Sequence, residues 1–374
     1  MAEEVDCRPK RLFVKTHRSL PEAIKKILED TTGIPVLQYT GKCSKDDILI
    51  YSPLTRRPQG ECLKIRVPHL TLLVPLLRKA SSDWCSFIND PETFYHRFLL
   101  EESIRIYEDF EPAWTGTPVL PRHPPPILIA SEIYVHSMEI FRRELKRRTS
   151  QGADIVVVGA DKYTSRQDYI SAVREATVDH IVFVDPMGLI TPQEAYHYGA
   201  TGWMSITPCE MEAVDESIRE DLAFVIIPRR LSSAHERYNE LKTAIKTGES
   251  LGFKKMILDP VLQPAISPGV MEGFYAALLL RRDGFGPLML GINNVFELLD
   301  ADTSGSIGLL VSLAAESGSS LVLVSEESAK SRGATIEAVV ASRMASLALY
   351  YGSPPKDFPF RLFMVKEKGR DLVI

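Results

Sequence analysis

Residues 252–332 decide the reading of the fold. They run GFKKMILDPVLQP (252–264), a helical stretch, GPLMLGINNVFELLDADTSG (286–305), a second helical stretch, and LVLVSEESAKSRG (321–333). Three apolar runs of strand length each empty into a polar, acidic or amide-rich loop. A short continuous apolar run bounded by turn signals is the pattern of a strand covered on both faces, as in a parallel sheet flanked by helices. Covering a strand in this way gives no reason to end it in carboxylates and amides, so the loops read as binding loops.

Outward from this stretch the same grammar repeats. Apolar runs stand at 127–133 (ILIASEI), 154–159 (DIVVVG), 180–185 (HIVFVD), 202–206 (GWMSI) and 224–228 (FVIIP), followed by 255–259 (KMILD), 288–291 (LMLG) and 321–325 (LVLVS). Helical segments separate most of them, with explicit start signals. Thr191-Pro-Gln-Glu194 and Thr207-Pro-Cys-Glu210 are capping boxes with proline at the first helical position, and Ser233-Ala-His-Glu236 is another box. Ser267-Pro268 reads as the opening of the sixth helix, and Gly152, Gly199, Gly248, Gly252, Gly284 and Gly318 read as stops. Eight such units in about 225 residues match a closed (β/α)8 TIM barrel over 127–352. A doubly wound open sheet is the competing fold. No strand is followed by the G-x-G-x-x-G turn of such sheets, and the count stops at eight.

The rest of the chain is arranged around this barrel. Residues 1–110 read as a small α/β domain with strands at 11–15, 34–38, 47–51 and 63–67 and a helix over 20–28. In HLTLLVPLLRKA (69–80), Pro75 is expected to kink a helix, and Asp90-Pro91 opens another that runs to about Glu108. Lys42, Lys45, Arg56 and Arg57 could meet an anion or be solvated surface charge. The stretch 111–126 (EPAWTGTPVLPRHPPP) reads as a Pro-rich linker. Residues 353–374 form a C-terminal extension, with an added strand expected at 360–369.

Bulk composition narrows the function classes. Of 374 residues, 44 are Lys or Arg and 49 Asp or Glu, a net charge of −5, so nothing global points to nucleic acid or a membrane surface. No apolar run reaches the roughly 18–20 residues that span a bilayer, and MAEEVDCRPKR lacks the apolar core of a signal peptide. The five cysteines are widely spaced without a CxxC pair, which argues against a disulfide framework and a zinc ribbon and fits a reducing cytosol. A cytoplasmic protein is expected.

In a barrel of this type chemistry sits where strands end. Asp185 and Asp259 each close an apolar strand before a proline. A carboxylate there can accept two parallel N–H bonds from a planar heterocycle such as a 2-aminopyrimidinone, or else act as a cap or ion-pair partner. Glu132, Ser205, Gln263, Asn293 and Asn294 add polar groups at other strand ends, and Asn294 could equally bridge loops. Arg229, Arg230, Lys330 and Arg332 suit a phosphate or another anion, though the arginines could also pair with neighbouring carboxylates. Asp300, Asp302 and Ser304 resemble the start of a calcium loop, but its twelfth position is Val311.

These motifs resemble the pterin-binding barrel family that includes dihydropteroate synthase, and most closely its archaeal synthase-related branch. MILDP (256–260) looks like the family's sixth-strand motif, whose aspartate holds the pterin's amino edge, which implies that role for Asp259. GADIVVVGA (152–160) is similar to its second-strand segment, and IVFVD (181–185) to the third-strand segment ending in a pterin-contacting aspartate, here Asp185. GINNVFELLDADTSG and SEESAKSRGATIEA look like signatures of the archaeal branch. Where dihydropteroate synthase has S-R-K and R-x-H, this chain has Ile292-Asn293-Asn294 and Glu326-Glu327-Ser328; the pterin-contacting asparagine of the fourth strand falls near Ser205, and Ser131-Glu132 replaces the early loop. GINN also looks like the seventh-strand segment of pterin-dependent methyltransferases.

The resemblance implies a synthase-like enzyme that condenses a dihydropterin methyl pyrophosphate with an arylamine in folate or tetrahydromethanopterin synthesis. Magnesium would bridge the diphosphate to Asp300 or Asp302. The alternatives are a pterin-dependent methyltransferase and a non-catalytic pterin-binding or interaction protein. A homodimer through the last two barrel helices is also implied.

Overall fold

The computed structural model describes residues 7–15, 20–51, 55, 58–67, 70–356, 358, 360 and 362. The chain divides into two compact units, Met1–Glu108 with Leu347–Pro359, and Asp109–Ser346 with Phe360–Ile374.

In the first unit the chain order is β1 (Arg11–Lys15), α1 (Glu22–Thr32), β2 (Val36–Gln38), β3 (Asp47–Tyr51), β4 (Leu63–Arg66), α2 (Leu73–Ala80), α3 (Trp84–Asn89) and α4 (Pro91–Glu108). The strands form one parallel sheet in the order β2-β1-β3-β4. Leu12, Val14, Ile48 and Ile50 are fully buried, as period-2 strands covered by helices require. Pro75 does not kink a helix. The α-helix starts only at Leu73, after a 3-10 turn at Leu70–Leu72, so Pro75 lies in the first turn, where no N–H is needed.

The cysteine reading is overturned in this unit. Cys7 is bonded to Cys85 and Cys43 to Cys62, leaving Cys209 free and exposed. Spacing along the chain was the wrong criterion. Pairing depends on distance in the fold, and here Cα atoms 78 residues apart lie 5.0 Å from each other. The cytosolic expectation loses the support it drew from unpaired thiols. Among the described residues no helix is long and apolar enough to cross a membrane.

The second unit begins its alternation with β5 (Leu128–Tyr134), α5 (Met138–Ser150), β6 (Ile155–Gly159), α6 (Arg166–Ala176), β7 (Val182–Asp185) and α7 (Pro192–His197). It continues with β8 (Gly202–Ile206), β9 (Ala223–Ile226), α8 (Ala234–Ser250), β10 (Met256–Leu258) and α9 (Met271–Arg282). It closes with β11 (Met289–Gly291), α10 (Asn293–Phe296), α11 (Thr303–Ser317), β12 (Leu321–Val324) and α12 (Ala334–Tyr351). All eight strands are parallel, in the order β10-β9-β8-β7-β6-β5-β12-β11. A parallel bridge from Leu258 to Leu288 joins the two ends, with Leu258 N–H donating to the Pro287 carbonyl at 3.0 Å. The sheet is therefore a closed (β/α)8 barrel, accompanied in the chain by a separate four-stranded α/β unit.

Capping chemistry explains most helix starts and one failure. Thr191 with Glu194 and Ser233 with Glu236 form reciprocal boxes that open α7 and α8. The Thr207–Glu210 pair also forms, yet only 3-10 turns at Met211–Ala213 and Glu216–Ile218 follow it. Asp215 accepts from Ser217 N–H, a local bond that competes with helix propagation. Ser267-Pro268 does not open α9, because Gly269 adopts φ 126° and the helix starts at Met271. Gly248 is not a stop either. It lies inside α8, where a Cβ would stand 2.3 Å from Met256 Sδ.

Residues 111–126, read as a linker, belong to the barrel unit and are pinned there. Ala113 N–H donates to Leu120 O, Arg122 N–H to Glu111 O, and Ser320 Oγ to Pro121 O. Two of the N–H groups between the prolines thus find partners across a tight loop. Of the strand expected at 360–369, only Phe360 and Leu362 fall within the described residues, and Arg56 and Arg57 lie outside them.

Candidate active site

Successive side chains of a barrel strand alternate between the lumen and the helix layer. The helix side is identified by packing: Ile133, Val156, Val158, Val182 and Val184 share one cluster with Phe141 of α5 and Tyr169 of α6. The alternate positions Glu132, Tyr134, Gly159, Phe183 and Asp185 therefore face the lumen. Strand register carries this assignment round the barrel. Tyr134 pairs with Gly159 and Gly159 with Asp185. Phe183 pairs with Gly202, Gly202 with Ala223, Met204 with Val225, and Val225 with Ile257. Asp259, two residues beyond Ile257, is on the same face. In the other direction Ala130 pairs with Leu323 and Leu323 with Gly291. Glu132, Asp185, Asp259 and Gly291 thus converge on one mouth, at the carboxyl ends of four different strands. Neither Lys nor Arg occupies any of the inward positions just traced.

Burial sets the chemistry of the carboxyls. Glu132 is only 3% exposed, and its Oε1 reaches over Gly159, where a Cβ would stand 3.0 Å from it. Burial, then the charges of Asp185 and Glu327, push the Glu132 carboxyl up to about 8, against the pull of its Tyr134 hydrogen bond. Burial alone raises Asp185 to about 6. Asp259, 7% exposed, is pushed up to about 7 by burial, opposed by the Val261 N–H, 2.7 Å from Oδ1, and by the Arg237 charge. Three carboxyls of one lumen therefore change protonation near neutrality, the range that suits proton transfer and pH-sensitive binding.

Beside Asp259 a buried cation organises the loop. Arg237 of α8 is 1% exposed and donates to the carbonyls of Ser232 (2.9 Å), Leu231 (3.1 Å), Pro260 (3.2 Å) and Val261 (2.7 Å). It also bonds the Gln263 side-chain oxygen, so Gln263 is engaged in holding its own loop. Asn294 Nδ2 donates to Leu262 O at 3.0 Å and fastens the same loop to the seventh strand end. Among the described residues, Asn293 Oδ1 is buried without a hydrogen-bond partner. Ser205 is half-buried at a register irregularity between Met204 and Ile206.

The cations proposed for an anion do not gather in the lumen. Arg229 and Arg230 are exposed; Arg229 N–H donates to Glu240 and its guanidinium reaches Cys209 Sγ at 3.7 Å. Lys330 Nζ donates to Leu299 O at 2.8 Å. Arg332 lines a separate cleft of about 620 Å³, together with Arg143 and Arg147 of α5, Tyr134 and Glu327. Tyr134 and Glu327 also belong to the carboxyl cluster of the mouth, so cleft and lumen adjoin. Asp302 caps α11 by accepting from Gly305 N–H at 2.8 Å, and Asp300 is exposed. Among the described residues no group of three His, Cys, Asp or Glu is arranged to hold a metal.

Two features escaped the sequence reading. Glu326 is buried against Arg147 (2.7 Å) and Arg148 (3.3 Å) and accepts from Gly333 N–H (2.6 Å) and Thr335 N–H (3.0 Å). Burial pushes its carboxyl up, yet Arg148, the two N–H groups and Arg147 together hold it below the usual carboxylate range. The signal was present: Phe141, Leu145 and Arg148 share one helical face, so a charge stands on the apolar stripe of α5. Tyr134 was legible too, as the residue two beyond Glu132 in an alternating strand.

No family model matches this chain. An uncharacterized protein of Methanocaldococcus jannaschii is 28% identical over 263 residues, covering 65% of this chain and 49% of that protein. The chain thus spans about half the length of the curated relative it matches. In fold it is similar to dihydropteroate synthases. The Coxiella burnetii dihydropteroate synthase, solved in complex with pteroic acid, has a TM-score of 0.47 at 16% identity, covering 60% of this chain and 94% of that one. The Stenotrophomonas maltophilia dihydropteroate synthase has a TM-score of 0.46 at 15% identity, covering 59% and 92%. A truncated 3-deoxy-D-arabino-heptulosonate 7-phosphate synthase of Thermotoga maritima scores 0.47 at 14% identity, covering 67% and 96%. The barrel itself is established by its strand pairing.

Proposed function

We propose that the mouth of the barrel binds a pterin and that the protein is a transferase acting on that ring, in the manner of a dihydropteroate synthase. The observation that carries this reading is the placement of Asp259 on the lumen face, buried and oriented by Val261 N–H. Each carboxylate oxygen has two lone pairs, so the bond to Val261 leaves capacity for the parallel N–H donors of a 2-amino-4-oxo ring. Asp185, on the same lumen face, is the second ring contact that the sequence resemblance implies.

In the synthase reaction the arylamine nitrogen attacks the exocyclic methylene carbon of the dihydropterin. The carbon–oxygen bond breaks with its electron pair going to diphosphate, and the new secondary amine sheds a proton. A lumen with three carboxyls, and with no Lys or Arg at the inward strand positions traced above, disfavours diphosphate. The adjoining cleft is the place for that anion: Arg332 and Arg143 stand there beside Arg147, which is itself paired with Glu144 and Glu326. This replaces Arg229 and Arg230 as the cations of first interest.

Methyl transfer from a reduced pterin to a thiol or corrinoid is the second reading. It is favoured by the absence of Lys and Arg from the inward strand positions traced above and by Glu132, which holds a proton near neutrality for transfer to a ring nitrogen. Calorimetry with a pterin, a pterin pyrophosphate analogue and a methyl-pterin separates the readings. Equal pterin affinity in wild type and Asp259→Ala would remove the assignment of the site. Reversing charge with Arg332→Glu should weaken the pyrophosphate analogue at least tenfold if the synthase reading holds, and leave a methyltransferase active. A homodimer through α11 and α12 is part of this proposal, and sedimentation showing only monomer at micromolar concentration would remove it.

A further inference from the structure

The loop after β5 carries a histidine with no part in the ring contacts proposed above, and its assignment rests on the synthase reading of the site. β5 ends at Tyr134, and His136 N–H donates back to Tyr134 O at 3.1 Å. This tight turn lays the imidazole against the Tyr134 ring, with centroids 6.4 Å apart and planes 21° from parallel. The His136 side chain is 49% exposed, on the wall of the cleft of about 620 Å³, beside Tyr134 and Glu327 where cleft and lumen adjoin. Asp161, two residues past β6, meets its Nδ1 through Oδ2 at 3.1 Å. The other carboxylate oxygen is engaged within the loop: Oδ1 accepts from Tyr163 N–H (2.8 Å) and Thr164 Oγ1 (2.9 Å). Thr164 is 8% exposed, and its Oγ1 also lies 3.0 Å from Val135 O, which fastens this loop to the turn that carries His136. Burial pushes Asp161 up, yet Tyr163 N–H, Thr164 and the neighbouring His136 hold it below the usual carboxylate range.

An ionised carboxylate only accepts, so in the neutral ring Nδ1 carries the proton and Nε2 offers its lone pair. We infer that His136, held in this tautomer by Asp161, is the proton acceptor of the transfer and takes the N–H proton of the incoming arylamine at Nε2. A base oriented by a third group is the arrangement that such a role needs. The amine nitrogen bonds to the exocyclic methylene carbon, the carbon–oxygen bond breaks with its electron pair on diphosphate, and the proton passes to Nε2. Asp161 and Glu327, both within electrostatic reach of His136, stabilise the imidazolium. The departing diphosphate, beside Arg332 and Arg143 in the same cleft, then takes the proton and restores the neutral ring. Glu132 does not compete for this role, because at about 8 it already holds a proton near neutrality.

The test follows turnover of a dihydropterin methyl pyrophosphate with para-substituted anilines, alongside calorimetry with a pterin. His136→Ala should lower kcat about 100-fold or more while pterin affinity stays as in wild type, and added imidazole should restore part of the rate. His136→Gln keeps a donor for Asp161 but takes up no proton, so it should lose kcat to the same extent; a histidine that merely ties the two loops would be replaced by glutamine without loss. Asp161→Asn reverses the tautomer. Tyr163 N–H requires an oxygen at the Oδ1 position, so the amide NH2 takes the place of Oδ2 and donates to Nδ1, leaving the ring proton on Nε2. Its kcat should fall comparably without rescue by imidazole, and 15N NMR should show that proton on Nδ1 in wild type and on Nε2 in the variant. Turnover of His136→Gln within threefold of wild type, a loss in His136→Ala that imidazole does not relieve, or an Nε2–H tautomer in wild type overturns the inference and leaves the pterin site standing. Wild type that binds a pterin but joins no aniline to it removes the synthase reading and this inference together, and wild type that binds no pterin removes the site as well.

Discussion

Asp259 and Glu132 are carboxyls that folding has moved into the neutral range, and each makes a prediction whose sign differs. Asp259 stands at about 7 and accepts ligand donors best when ionised. Pterin affinity should therefore be flat above pH 7 and fall about tenfold per unit below it, a slope that Asp259→Asn abolishes in titrations from pH 5 to 8. For Glu132 the linkage concerns stability. Its folded value of about 8 lies above the ordinary 4.5, so between those values the folded state holds a proton that the unfolded chain has released. Stability is complete below 4.5 and declines as pH rises through 8. Glu132→Gln removes the titration. At pH 9 the variant should be more stable than wild type, by on the order of 1–3 kcal/mol, and at pH 4.5 the two should melt together. A variant that melts lower at both values would mean that Glu132 is held ionised. Because the Asp185 charge helps to raise Glu132, the ionisations of Asp185 and Glu132 are linked, and Glu132→Gln should also alter the binding profile between pH 6 and 8.

At the scale of elements, the sequence was most informative where one local signal determines one local outcome. Alternation and apolar runs placed every barrel strand within about two residues, and the boxes at Thr191 and Ser233 opened the helices they mark. The box at Thr207 did not, because a cap satisfies donors at a helix start but cannot sustain a helix against Asp215 and the carbonyls that Arg219 draws in. Strand ends carried most of the candidate site: Glu132, Asp185 and Asp259 share the lumen because parallel strands in register share a parity. Pairing partners were not legible. Nothing local says that Arg237 will hold the loop after Asp259, or that Glu326 will meet Arg148 of α5 from the far end of the barrel sequence. That last contact is testable. Arg148 is 3% exposed and also donates to Ser131 (3.1 Å) and Thr335 (3.2 Å), so it joins α5 to β5 and α12. Arg148→Met leaves Glu326 buried with Arg147 and two N–H donors, and should cost about 3 kcal/mol in chemical unfolding. Arg148→Met combined with Glu326→Leu should recover much of that loss, since the residual charge is then gone. A double variant no more stable than the single one would show that Glu326 acts chiefly through its backbone bonds to Gly333 and Thr335.

For the whole molecule the chief surprise is covalent. Spacing suggested free thiols, whereas the fold of the first unit brings Cys7 to Cys85 and Cys43 to Cys62. A cross-link shortens the conformational list of the unfolded chain, and the effect grows slowly with the length enclosed. The sequence separations are 78 and 19 residues, which correspond to about 4.5 and 3 kcal/mol in the chain-entropy treatment. The smaller loop lies within the larger, so the two do not simply add. Both bonds lie in the unit built from Met1–Glu108 and Leu347–Pro359, and none in the barrel. Reduction should therefore lower the melting of that unit by on the order of 15 °C, while the pterin binding proposed for the barrel mouth should be unchanged when measured below that transition. Thiol counting under denaturing conditions checks the premise: one reactive thiol, Cys209, before reduction and five after it. Five thiols before reduction would remove the cross-links, and with them the expected difference between the two melting curves. One thiol with an unshifted melt after reduction would mean that the bonds form but that the apolar core around Leu12, Val14, Ile48 and Ile50 already holds the unit without them.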